Sequence, residues 1–315
     1  MRGAPPTPPD APAPRERRRG RRRTSDPAAG DIHLPLGAVS EEDAARALAY
    51  AARRSVVSKG NAAKPSLEQR LGEEFRSTIA RFDAWRRRVA EGRFTVVGQP
   101  IVSLADRQIH HYEMLARFTP GKSPFEAVRF AEEAGLIEEF DLAICGKALE
   151  ALAVAPRLAL AVNLSGRSVQ SPAFREALTA LLRAHRPLLG RLTFELTESH
   201  AVEHFQPAAE FLHQLKSEGC AICLDDFGAG AATYHYLRNF AFDLVKIDGP
   251  FLKAAMTNTR DCILVRSICA LCGELEIGVI GEMIEDEAAL TAAAELGIRF
   301  GQGRLFGAPA PLPMA

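Results

Sequence analysis

From residue 93 onward, short apolar runs alternate with stretches whose apolar residues recur every three or four positions. The runs predict strands at Phe94–Gln99, Ile109–Phe118, Leu158–Leu164, Leu192–Leu196, Ala221–Leu224, Leu244–Ile247, Ile277–Ile280 and Ile298–Phe300. The longer period predicts helices over Phe125–Ala134, Asp141–Ala153, Phe174–Ala184, Pro207–Glu218, Arg260–Leu271 and Glu285–Glu295. Eight short strands, mostly separated by helices over about 220 residues, fit an α/β fold of the (β/α)8, TIM-like type. The first two strands break the pattern. Only about eight residues, including Ala105-Asp106-Arg107, separate them, too few for a helical crossover. A hairpin is expected there, so the first barrel strand runs antiparallel to the rest.

Upstream the pattern changes twice. Residues 31–92 predict a helical extension: a short Ala-rich helix over 41–56, then a second helix opened by the capping-box pair Ser66 and Gln69. Leu67, Leu71, Phe75, Ile79, Phe82 and Val89 form one apolar stripe on that second helix. The stripe either packs on the barrel or pairs with another chain as a short coiled coil, although Gly72 disfavours a long zipper. Residues 1–30 are rich in Pro and Arg and hold too little apolar area to fold alone, which predicts a disordered tail. This leaves residues 93–311 as the barrel domain.

Charge sharpens that division. The whole chain is neutral, but residues 1–30 hold eight Arg against three acids, so the remainder is acidic. Such a tail is either a solvated segment or a tether for nucleic acid or anionic membrane. No apolar stretch is long enough to span a bilayer, and the N-terminus lacks a signal-peptide layout; a cytoplasmic location is the expectation. The spacings Cys220-Cys223 and Cys269-Cys272 do not predict zinc. Strand residues three apart face opposite ways, and Cys262, Cys269 and Cys272 share the spacing of a buried helix face.

The candidate chemistry lies at strand ends. Glu113, Asn163, Glu195, Asp225, Asp226, Lys246 and Glu282 fall at or near the ends of successive strands, where a barrel gathers its site. Adjacent carboxylates such as Asp225 and Asp226 are costly to desolvate without a cation between them. Singly, each has a plainer reading: helix caps for Asp225 and Asp226, ion pairs with Arg191 or Lys216 for Glu195 and Glu198, a surface lysine for Lys246. Asp106, Glu132, Glu133, Asp141 and Asp248 read as turn or helix-face charges, and no histidine pair has ligand spacing. The convergence of so many oxygen ligands favours Mg2+ or Mn2+, in a pair, over zinc.

Eight ordered segments give this pattern a family resemblance. They are Gln99-Pro100-Ile101-Val102, Glu113-Met114-Leu115-Ala116-Arg117, Val162-Asn163-Leu164-Ser165, Glu195-Leu196-Thr197-Glu198-Ser199, Asp225-Asp226-Phe227-Gly228-Ala229-Gly230, Lys246-Ile247-Asp248, Glu282-Met283-Ile284-Glu285 and Gln302-Gly303-Arg304-Leu305-Phe306. Residues 93–311 thereby resemble an EAL-type cyclic di-GMP phosphodiesterase domain. The resemblance implies metal-dependent hydrolysis of cyclic di-GMP to linear pGpG, or, as the alternative, a silent receptor or scaffold using the same pocket. It implies metal ligands at Glu113, Asn163, Glu195, Asp225 and Asp226, and catalytic roles for Glu113, Lys246 and Glu282. It also implies substrate contacts at Arg117, Gln302 and Glu285, a loop anchor at Glu198, and a homodimer through the barrel. The chain departs from the family pattern at Met114 in place of alanine, Met283 in place of glycine, Arg304 where an aromatic is common, and in the loop 228–233.

Overall fold

The structure, a computed structural model, describes residues 40–57, 67–119, 123–197, 205–228 and 233–314. The expected basic tail, Glu198 and most of the loop after Asp226 lie outside these residues. Strands β1 (Thr95–Ser103), β2 (Ile109–Arg117), β3 (Leu160–Leu164), β4 (Leu192–Thr197), β5 (Ala221–Phe227), β6 (Leu244–Ile247), β7 (Gly278–Gly281) and β8 (Phe300–Gln302) close into a barrel in chain order. β1 is antiparallel to both β2 and β8, and the other neighbours pair parallel. The hairpin turn accounts for the reversal. Arg107 takes left-handed backbone at φ 58°, and the Gln108 N–H donates to Asp106 Oδ1 at 3.1 Å, folding the chain straight back. β1 continues past Pro100, where sequence suggested an end, because Ile101-Val102-Ser103 still pairs with β8.

On the outside lie α3 (Phe125–Ala134), α4 (Ile137–Val154), α5 (Gly166–Gln170), α6 (Pro172–Arg183), α7 (Phe205–Ser217), α8 (Thr233–Asn239), α9 (Gly249–Ala255), α10 (Thr259–Glu274) and α11 (Glu287–Glu295). Three details differ from expectation and matter for the site. α4 begins at Ile137, four residues before the predicted start, so Asp141 sits inside it and is buried; the helix-face reading of Asp141 is wrong. α11 begins after Asp286, whose Oδ1 accepts the Ala289 N–H at 2.8 Å, leaving Glu285 in the loop. The short helices α5, α8 and α9 carry too few turns to show a period.

Two further helices, α1 (Glu41–Val57) and α2 (Leu67–Ala90), precede the barrel. Phe75, Phe82 and Val89 of the α2 stripe are buried, joined by Trp85. The Trp85 ring lies 5.1 Å from Phe118 and 5.6 Å from Phe140, and its Nε1–H donates to Leu136 O at 3.3 Å. Arg46 of α1 donates to Gly135 O at 2.9 Å, at the left-handed joint between α3 and α4. The stripe therefore packs on the barrel's own helices. No helix among the described residues is long and apolar enough to cross a membrane.

Candidate active site

Strand alternation stacks the lumen in two layers. Ile101, Cys223, Leu244, Ile280 and Phe300 form a small buried apolar cluster of their own. Two residues further along their strands, on the same face, stand Asp225, Lys246, Glu282 and Gln302. β2 and β4 repeat the step, carrying Glu113 two residues beyond His111 and Glu195 two beyond Thr193, and the register sets Asn163 beside Glu195. An apolar floor thus carries a polar layer drawn from seven of the eight strands.

Lys246 is the hub of that layer, at 1% exposure. Its Nζ lies 2.8 Å from Glu282 Oε1, 2.9 Å from Asp225 Oδ1, 3.4 Å from Glu113 Oε2 and 3.5 Å from Glu195 Oε2. Glu113 also accepts from Asn163 Nδ2 at 3.0 Å and from Gln302 Nε2 at 2.7 Å. Burial favours the neutral acid, but Lys246 and these amides outweigh it and hold Glu113 below the usual carboxylate range. Glu195 has no such support. It is 0% exposed, neither oxygen accepts a hydrogen bond among the described residues, and burial with three neighbouring acids pushes it well above its ordinary value despite Lys246. Burial also lifts Glu282 to about 7. Lys246 answers in kind: burial opposes its charge, yet the four surrounding acids raise its pKa well above normal.

The paired aspartates do not face the same partner. Between Leu224 and Phe227 the β5–β6 register slips by one residue, and Asp226 adopts φ 57°. This bulge sends Asp225 to Lys246 and Asp226 toward Glu282 and Asp248. Carboxylate oxygens of Asp226, Asp248 and Glu282 all lie within 4.8 Å of one another. Burial first, then repulsion from Asp225, raises Asp226 to about 6. Sequence pattern alone makes Asp248 a turn charge, and the structure instead brings it into this cluster. The missed signal was its place two residues beyond Lys246, which period two carries to the same face.

The remaining candidates divide. Gln302 is buried and spends its amide on Glu113. Glu285 lines a cavity of about 380 Å³ above the polar layer, shared with Glu113, Asp225, Lys246 and Glu282. Arg117 lies on the Glu113 face of β2, but its Nη1 donates to its neighbour Ala116 O at 2.8 Å and it does not line that cavity. The plainer ion-pair readings are excluded for Glu195: Arg191 caps α4 through Leu152, Ala155 and Leu158 carbonyls, and Lys216 pairs with Asp243. A second, mostly apolar cavity of about 350 Å³ opens between β2, α3 and α4, edged by Leu115, Asn163 and Thr197. Asp141 borders it. Its Oδ2 accepts the Ser165 N–H at 2.9 Å, and burial lifts its carboxyl to about 7. His111, under Glu113, stays neutral: burial pushes it down to about 3.

Comparison with known proteins places this arrangement. The EAL domain profile matches residues 83–309. The cyclic di-GMP phosphodiesterase PdeF of Escherichia coli is 32% identical over 250 residues, covering 77% of this chain and 33% of that protein. Among solved structures, the EAL enzyme Bd1971 in its cAMP- and cyclic-di-GMP-bound form superposes with TM-score 0.66 at 27% identity, over 78% of this chain and 71% of the other. The phosphodiesterase PaMucR in complex with cyclic di-GMP gives TM-score 0.66 at 26% identity, over 74% of this chain and 98% of the other. The chain spans about a third of the length of the curated relatives it matches. A barrel reversed at its first strand and a lumen layer built from the segments named above both agree with that match, and the chain belongs to the EAL domain family.

Proposed function

We propose that this chain hydrolyses one phosphodiester bond of cyclic di-GMP, releasing linear pGpG, with two divalent cations, Mg2+ or Mn2+, as cofactors. The observation that carries the reading is Glu195, a fully buried carboxylate without a hydrogen-bond partner among the described residues, in a layer where four acids face one ammonium. A lumen so short of positive charge is stabilised by added cations, and its all-oxygen donors suit hard ones. Glu113, Asn163, Glu195 and Asp225 would hold one ion, and Asp226, Asp248 and Glu282 the other. Bound there, divalent ions acidify water and neutralise charge growing on phosphoryl oxygens.

The side chains supply the rest. Gln302 and Asn163 hold Glu113 in position through its two oxygens. Lys246 is held as an ammonium by its four acids; divalent ions sharing those carboxylates would lower its pKa toward the range in which it could take a proton from water. Arg117 needs only to release the Ala116 carbonyl to reach a substrate phosphate, where its planar fork binds two oxygens. The apolar cavity beside Asn163, walled by Leu115, Ile137 and Phe140, suits a flat purine. The polar cavity beside it takes the sugar-phosphate ring, with Glu285 at its edge.

The test is a chromatographic assay for pGpG with each metal, using calcium as an inhibitor. Metal-dependent product, abolished by Glu113→Ala, is the expected result. Tight binding of cyclic di-GMP with no product would instead establish a receptor, and neither binding nor product would end both readings.

A further inference from the structure

One cation at the rim of the lumen has no part in the scheme above. Arg304 lines the same cavity as Glu113, Asp225, Glu282 and Glu285, and it is exposed. It makes no ion pair and no side-chain hydrogen bond to another described residue, although all four of those acids line the cavity with it. Its backbone is nonetheless pinned. Gly303 packs so closely on Ile284 that a Cβ would fall 2.0 Å from Ile284 O. The Leu305 N–H donates to that same carbonyl at 3.2 Å, and the Phe306 and Gly307 N–H groups donate back to Gly303 O at 3.1 and 3.2 Å. A guanidinium is thus fixed at its root two residues beyond Gln302, which holds Glu113, while no described residue claims its head.

Chemistry suggests what claims it. A cyclic dinucleotide carries two phosphates, and the acid layer with its cations takes only the one being cleaved. The other lies against a lining rich in carboxylates, which repels it unless a cation intervenes. Arg117 and Arg304 stand on β2 and after β8, the two neighbours of β1, so the two residues are rooted on either side of one strand. We infer that Arg304 is a specificity residue that grips the uncleaved phosphate of a cyclic dinucleotide. Its planar fork suits two phosphoryl oxygens, which a lysine or an aromatic ring does not match.

The inference rests on the proposed hydrolysis, and the experiment separates the two. Steady-state kinetics of full-length wild type, Arg304→Ala and Arg304→Lys would be compared on cyclic di-GMP and on bis(p-nitrophenyl) phosphate, which has a single phosphate. Loss of a charge-assisted hydrogen bond should raise KM for cyclic di-GMP roughly 10-fold to 100-fold in Arg304→Ala. kcat should stay within about threefold, Arg304→Lys should recover part of the loss, and KM of the wild type should respond more steeply to salt. Hydrolysis of the one-phosphate ester should not change. Unchanged KM for cyclic di-GMP, or equal losses on both substrates, would overturn the role of Arg304 while leaving the hydrolase intact. If wild type turns over neither substrate, calorimetry with cyclic di-GMP and Ca2+ decides: weaker binding by Arg304→Ala supports the inference, and equal binding or none refutes it.

Discussion

Two groups of charge, one at the seam between α2 and the barrel and one in the lumen, each gather acids around one cation and reach opposite electrostatic states. At the seam Arg86 grips both oxygens of Asp43, with the Nη2–Oδ1 distance 2.9 Å, and reaches Glu139 Oε1 at 3.0 Å through Nε. The hydrogen bond from Arg86 holds Asp43 below its ordinary range, outweighing burial. In the lumen four carboxylates share one ammonium, and burial drives Glu195 and Glu282 upward. Supply explains the contrast: the seam has a cation whose fork matches its acids, and the lumen has too few cations for the acids it gathers. The first cluster is a finished joint, and the second is short of positive charge among the described residues.

The sharpest way to break the comparison is to remove the hub. Lys246→Met should lower turnover roughly 100-fold to 10,000-fold. In chelator it should also lose roughly 3–5 kcal/mol of stability, because four buried acids are left without their counter-charge. Saturating Mn2+ should raise the melting temperature of this variant more than that of wild type. Equal shifts would mean that the ammonium and the ions do not compete for the same oxygens.

Arg86→Ala attacks the finished joint. About a third of that side chain meets water, so the expected loss is smaller, roughly 1–3 kcal/mol in urea unfolding. Mn2+ should not repair it, and turnover per folded molecule should hold. Glu195→Gln does the reverse in the lumen. Burial already favours the neutral acid there, so an amide of the same shape should leave the chelated protein within about 1 kcal/mol of wild type and shrink its metal-induced thermal shift. A destabilised variant would show that Glu195 is already balanced without metal.

The pH profile of stability in chelator should show the two clusters with opposite signs. Glu282 titrates near 7 folded and near 4.5 unfolded, so the folded state holds a proton that the unfolded chain lacks between those values. Stability should therefore fall as pH rises from about 4.5 to 7 and level off above. Asp43 is depressed, so its contribution is complete above about 3.8 and is lost as pH falls below that. Urea midpoints should peak near pH 4 to 5. Asp141, also near 7, adds a slope from outside the lumen, so the part that Mn2+ flattens reports the proposed metal site. A midpoint constant from pH 5 to 8 would contradict the assignment.

Much of this was legible before any coordinates. The brief spacer before Ile109 revealed the reversed strand, because no helix fits there. Glu113, Glu195, Asp225, Lys246 and Glu282 could be placed at one end of the barrel because side chains two apart share a face. What alternation cannot show is where it fails. The left-handed turn at Asp226, the partnership of Asp248 and the burial of Asp141 inside α4 all depend on register and helix packing, which local pattern does not encode. Gln302 was expected to touch substrate. Only distances reveal that its amide serves Glu113, and that the Arg117 guanidinium rests on its own backbone.

The slipped pairing of β5 against β6 means that this site is specified by chain length as well as by residue identity. Excising either aspartate would restore simple alternation and leave one carboxylate where two now serve the lumen. No change of side chain could bring the lost carboxylate back to its place beside Asp248. Insertions and deletions here should therefore be tolerated far less than substitutions at the same positions.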